Sequence, residues 1–140
     1  GVNYSNTHPF VRELMGRAHS FAHNGTLRNI TQLEKFKLEH YHPMGETDSE
    51  LAFCHLMDRM KGLWEEFRQE PPPLDDRLKL VKEFADDIRE LGPANFLYSD
   101  GDAFFAHGDQ RLNPFTNLVS WPGLYYVQIF NDRPDHHQTR

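Results

Sequence analysis

From Asp48 to Phe67 the apolar residues Phe53, Leu56, Met57, Met60, Leu63, Trp64 and Phe67 recur at spacings of three and four, which predicts one apolar face on an amphipathic helix. Gly62 weakens that helix locally. The run "EPPP" ends it, because proline lacks an amide donor and restricts the residue before it. The same period resumes from about Asp75 to Leu91, with Leu78, Val81, Phe84, Ala85, Ile88 and Leu91 directed inward, until Gly92-Pro93 stops it. Elsewhere the pattern is that of strands. Arg17 to His23 reads as a buried strand that runs into Asn24-Gly25. "ANFLYSDGDAFFAHG" reads as a hairpin around Asp100-Gly101, and "GLYYVQIF" as a further strand rich in β-favouring aromatics. Between the first strand and the first helix, "TLRNITQLEKFK" reads as irregular or briefly helical. The predicted order is strand, helix, helix, strands, a mixed α and β chain whose helices form a layer against a sheet.

Composition narrows the function classes. A chain of 140 residues is the size of one domain with one core, and 38% hydrophobic with 13% aromatic residues fits a globular protein. The net charge of −6 offers no basic surface for phosphates, so nucleic acid is not an expected partner. No run approaches the ~18 apolar residues of a membrane span, and the first residues have neither the charged head nor the apolar body of a signal peptide. The expectation is a cytoplasmic protein with no membrane partner. One cysteine, Cys54, allows no internal disulfide, and its place between Phe53 and Leu56 predicts a small buried hydrophobe. His40-Tyr41-His42 and His136-His137 lack a third ligand at a useful spacing, so neither a metal nor another cofactor is expected.

Two short stretches carry candidate chemistry. In "RAHSFAHNGTL" the Asn24-Gly25 dipeptide is a strong signal for a tight hairpin turn, since both residues tolerate positive φ. The same pair could present two hydrogen-bond donors, a side-chain amide and an unhindered backbone N–H, to a negative charge that develops in a reaction. In "GETDSELAF", Thr47 and Glu50 match a capping box before the first helix, which puts Asp48 in the first turn. A carboxylate there stabilises the helix by ~0.3–1 kcal/mol through the dipole, or holds a substrate ammonium group. His8 in "NTHPF" and His23 beside Asn24 are candidates for the surroundings of a reacting centre.

Taken in order, "NTHPF", "FAHNGTL", "GETDSELAF" and "NFLYSDGDAFFAH" resemble the class II glutamine amidotransferases, in particular their small stand-alone bacterial group. The resemblance spans residues 5 to about 108 and fades after Gln110. It implies an α+β fold, part of a four-layer αββα sandwich of the N-terminal nucleophile hydrolases, so that residues 1–130 are expected to form a partial domain of that type, while 131–140, without apolar periodicity, reads as a mobile tail. It also implies roles: Asn24 and Gly25 as the oxyanion hole, Asp48 as the partner of the α-ammonium of glutamine, and His8 beside the substrate pocket. The implied substrate is glutamine or a related γ-glutamyl amide. In such enzymes an N-terminal cysteine attacks the side-chain carbonyl, its own α-amino group moves the proton, and a thioester forms as ammonia leaves.

The sequence departs from the family at its start, opening on Gly1 with no N-terminal cysteine, serine or threonine and without the family's arginine-bearing substrate loop. The expectation is therefore the C-terminal portion of a glutaminase domain that has no turnover by itself. Its uncovered sheet edge would favour self-association or pairing with the missing N-terminal segment. The alternative is a catalytically inactive module that keeps the glutamine pocket, or only the fold, as an interaction surface.

Overall fold

Thr47 sets the start of the first long helix. Its side-chain oxygen accepts the Glu50 N–H at 3.2 Å, and α1 runs from there over Asp48–Glu66. This is one half of the expected capping box. The other half is replaced, because the buried Glu50 carboxylate accepts the Gly45 and Met44 N–H groups at 2.7 and 3.1 Å and pairs with Arg12 at 2.5 Å. The structure, a computed structural model, describes residues 6–68 and 70–120. The expected strand "GLYYVQIF" and the tail 131–140 lie outside the described residues.

The second helix, α2, spans Leu74–Arg89 and buries Arg77, Val81, Phe84, Ala85 and Ile88. Leu78, expected inward, is 53% exposed. The inward place in the first turn is taken by Arg77, whose guanidinium reaches the fully buried Asp100 at 2.7 Å. A buried charge must be met by its partner, whereas an outward leucine forfeits only its own burial, so the ion pair sets the helix rotation. Phe67 is also more exposed than the periodicity suggests, at 38%, because it is the residue on which α1 ends.

Among the described residues, four antiparallel strands make the main sheet in the order β1 (Phe10–Leu14), β2 (Arg17–Asn24), β3 (Asn95–Ser99), β4 (Phe104–His107). The hairpin around Asp100-Gly101 forms as the sequence predicts, with Ser99 opposite Phe104. The stretch after β2 is irregular, as expected, apart from two single turns of 3-10 helix at Ile30–Gln32 and Glu34–Phe36. A short two-stranded ladder, β5 (Arg111–Leu112) with β6 (Val119–Ser120), follows.

β1 is an addition to the sequence reading. Its alternation is broken at the inward position by Arg12, whose counter-charge Glu50 lies 38 residues away. The hairpin that joins β1 to β2 turns on Met15-Gly16, with φ of 52° and 77° and Leu14 opposite Arg17. Asn24-Gly25 is not a hairpin turn: Asn24 is the last residue of β2 and pairs with Asn95 of β3, a strand 71 positions further along.

Both helices pack on one face of the sheet. Phe21, central in β2, lies parallel to Phe53 of α1 at 5.2 Å and meets Phe84 of α2 edge-on at 6.2 Å, while Phe96 of β3 stacks beside it at 5.6 Å. The fold is α+β, a helix layer on an antiparallel sheet, the kind of pair that makes up half of an αββα sandwich. No helix among the described residues is long and apolar enough to cross a membrane.

Candidate functional site

The candidate site is built where β2 ends against the start of α1 and the loop between α2 and β3. His23, the last inward residue of β2, is buried and uses both ring nitrogens. Nε2 lies 2.9 Å from the carbonyl oxygen of Pro93, which can only accept, so Nε2 carries the proton and donates. Nδ1, 2.8 Å from Oγ of Ser49, then accepts from the serine hydroxyl. One imidazole thus joins β2, α1 and the α2–β3 loop. Burial lowers its pKa, and His8 adds to this, against the raising influence of the Pro93 carbonyl and of Asp48. The ring is neutral at pH 7.

Asn24 follows on the outward side of the strand. It lines a cavity of about 220 Å³ together with His8, Ala22, His23, Asn95, Phe96 and Leu97. His8, exposed, stacks at a tilt on Phe10 with ring centroids 4.5 Å apart. Gly25 turns away with φ of 137°, and a Cβ at that position would stand 2.3 Å from the Pro93 carbonyl oxygen. Glycine is therefore required there by backbone approach as well as by φ. Gly25 lines a larger depression, about 830 Å³, whose walls include Arg28, Asn29, Glu90 and Arg111.

Asp48 reaches the same corner from the first turn of α1. Its Oδ2 accepts the Leu27 N–H at 2.5 Å and its Oδ1 the N–H of Ser49 at 2.9 Å. The acid therefore ties the chain just past Asn24-Gly25 to the helix start, with acceptor positions to spare on a carboxylate that offers about four. Asp48 lines neither cavity; its link to Asn24 runs through Leu27.

The loop opposite is fixed as firmly. Arg28 N–H donates to Leu91 O at 3.1 Å, and a Cβ on Gly92 would fall 1.8 Å from Thr26 O. Asp109, fully buried in its side chain, accepts from the Ala94 N–H at 3.0 Å and from Arg89 and Arg111 at 2.9 and 2.7 Å. Burial opposes its ionisation, but the Ala94 N–H and Arg111 outweigh burial and hold the carboxyl below its ordinary range. Ser49, Pro93 and Asp109 were not singled out by the sequence. Gly92-Pro93 was visible there only as a helix stop.

Comparison with known sequences decides the family. The sequence profile of the class-II glutamine amidotransferases matches residues 1–122. The chain belongs to the class-II glutamine amidotransferases. Among relatives, it is 42% identical over 109 residues to an uncharacterised protein of Methanocaldococcus jannaschii, covering 78% of this chain and 28% of that one. It is 38% identical over 115 residues to the Escherichia coli protein named "Putative glutamine amidotransferase YafJ", covering 82% of this chain and 43% of that one. A crystal structure from Pseudomonas aeruginosa, described as a "predicted glutamine amidotransferase", superimposes with a TM-score of 0.61 at 42% identity over 76% of this chain and 40% of that one. The chain thus spans less than half the length of these relatives.

Within this amidotransferase chain Cys54 is fully buried on α1, and burial pushes its thiol up to about 11. A thiol that stays protonated and out of reach is a packing group.

Proposed function

We propose that this segment provides the oxyanion-binding and amine-binding half of a glutaminase site, acting on glutamine or a related γ-glutamyl amide. The side-chain amide of Asn24 and the backbone N–H of Gly25 donate to the carbonyl oxygen as it becomes negative. Asp48 receives the α-ammonium of the substrate, and His8 stands at the edge of the pocket. The observation that supports this most is the Asp48 to Leu27 hydrogen bond, which locks the helix-borne carboxylate to the chain three residues past Asn24. Neutral His23 and buried Cys54 are not the nucleophile in this reading. A single buried cysteine fits a reducing cytoplasm.

The test uses the full-length gene product. Asn24→Ala is expected to lower kcat by ~10²–10³ with KM little changed, since its contact strengthens only in the transition state. Asp48→Ala is expected mainly to raise KM and to weaken discrimination against analogues that lack the amine, because that contact is equal in bound substrate and transition state. Its stability is expected to fall by about 1–3 kcal/mol, because the Leu27 N–H loses its acceptor as well as the helix its first-turn charge. An Asp48→Ala protein that binds glutamine normally removes the amine-binding role. A folded full-length protein that binds glutamine but never turns over an amide would establish the inactive module instead.

A further inference from the structure

The geometry points to His23 as a positioning residue for the Asn24-Gly25 donor pair, an inference that rests on the oxyanion reading above and adds the element that aims it. The imidazole spans from the Ser49 hydroxyl at 2.8 Å to the Pro93 carbonyl at 2.9 Å. That same carbonyl oxygen is the atom pressed against Gly25, 2.3 Å from where a Cβ would be. His23 therefore holds in place the surface on which Gly25 rests, and as the residue before Asn24 it also fixes the strand end from which the amide projects.

The ring cannot act on a substrate directly. Both nitrogens are engaged within the protein, the residue is 8% exposed, and the tautomer is set by a carbonyl that cannot donate. Its influence on a reaction passes through the backbone it supports. Oxyanion stabilisation depends on donors fixed before charge develops, and a displacement of the order of 1 Å lowers rate by about 10²-fold. The Pro93 carbonyl shares its planar peptide unit with the Ala94 N–H, which donates to Asp109 at 3.0 Å, so His23 from one side and Asp109 from the other fix the direction of that carbonyl. Arg28 N–H to Leu91 O, at 3.1 Å, holds the start of the same loop.

The experiment is a double-mutant cycle in the full-length protein, with kcat and KM for glutamine measured for His23→Phe, Asn24→Ala and the pair. His23→Phe keeps a flat ring and removes both hydrogen bonds. It is expected to lower kcat by about 10²-fold with KM within about threefold, and the double variant should fall well short of the product of the single effects. His23→Gln, which retains an amide donor for Pro93 O, should recover part of kcat. Ser49→Ala removes one oxygen and serves if His23→Phe does not fold; it should lower kcat by several-fold without a rise in KM. A folded His23→Phe with unchanged kcat, fully multiplicative effects in the pair, or a Ser49→Ala whose change lies wholly in KM would overturn the inference. Loss of the Asn24→Ala effect itself would instead strike the oxyanion reading, so the two failures are distinct.

Discussion

Two Xaa-Gly pairs close the two ends of β2, and they do opposite work. Met15-Gly16 has positive φ at both residues, joins strands that pair with each other, and leaves open space around the position of a Gly16 Cβ. It is a two-residue hairpin turn of the I′ kind, held by local geometry and by the Gly16 N–H to Glu13 carboxylate bond at 2.5 Å. Asn24-Gly25 carries the stronger hairpin signature, yet only Gly25 has positive φ, and the chain continues away from the sheet. Its glycine is demanded by Pro93, a residue 68 positions further along. A glycine in a turn answers to its own dihedrals, whereas a glycine in a site answers to whatever backbone is brought against it.

The largest effect that separates the two is Gly25→Ala. The strained φ and the collision with a backbone carbonyl add, so a loss of about 3 kcal/mol or more is expected, read by chemical denaturation. A variant as stable as the parent would show that the α2–β3 loop yields easily, and the contrast would collapse.

Next in size is acid. The inward face that leads to Asn24 carries His19 and His23, and α1 carries His55; burial depresses all three. For His55 burial acts first and the adjacent Arg59 second, taking its pKa to about 4. An unfolded histidine titrates near 6.5, so below that pH the unfolded chain binds protons that the folded chain refuses. Stability is then full above about pH 6.5 and declines as pH falls toward 4, by on the order of 3 kcal/mol from His55 alone. Denaturation midpoints measured across that window check it; a flat profile between pH 7 and 5 would contradict the buried neutral histidines.

The smallest effect is Gly16→Ala. Only dihedral strain opposes it, with no atom in the way, so about 1 kcal/mol is expected, and Gly16→Asn should recover part of this. A loss as large as that of Gly25→Ala would mean that the hairpin is as embedded as the site.

How much was legible follows the same division. Both long helices were readable because their apolar residues repeat at short spacing, and the β3–β4 hairpin because Asp100-Gly101 lies between two apolar runs. Leu78 was misplaced and β1 was missed for one reason: Arg77 and Arg12 occupy inward positions, and their counter-charges Asp100 and Glu50 are 23 and 38 residues distant. Hydropathy periodicity treats an arginine as outward and cannot register a partner that far along the chain. At the candidate site, the motifs pointed to Asn24, Gly25, Asp48 and His8, while the hydrogen bonds around them, from the Leu27 N–H to Asp48 and between His23, Ser49 and Pro93, were invisible.

By itself the sequence determined the local terms. The helix faces, the Thr47 cap, the proline stop and the order of four short motifs depend on residues within a few positions of each other, where dihedral preference and spacing suffice. The tertiary structure alone decided that Pro93 bears on Gly25, that Ser49 and Pro93 share one imidazole, and that Asp48 holds the Leu27 amide. Those contacts join residues 21 to 70 positions apart. They form because sheet pairing and core packing bring the end of β2, the start of α1 and the α2–β3 loop to one corner, an arrangement that no single stretch of chain encodes.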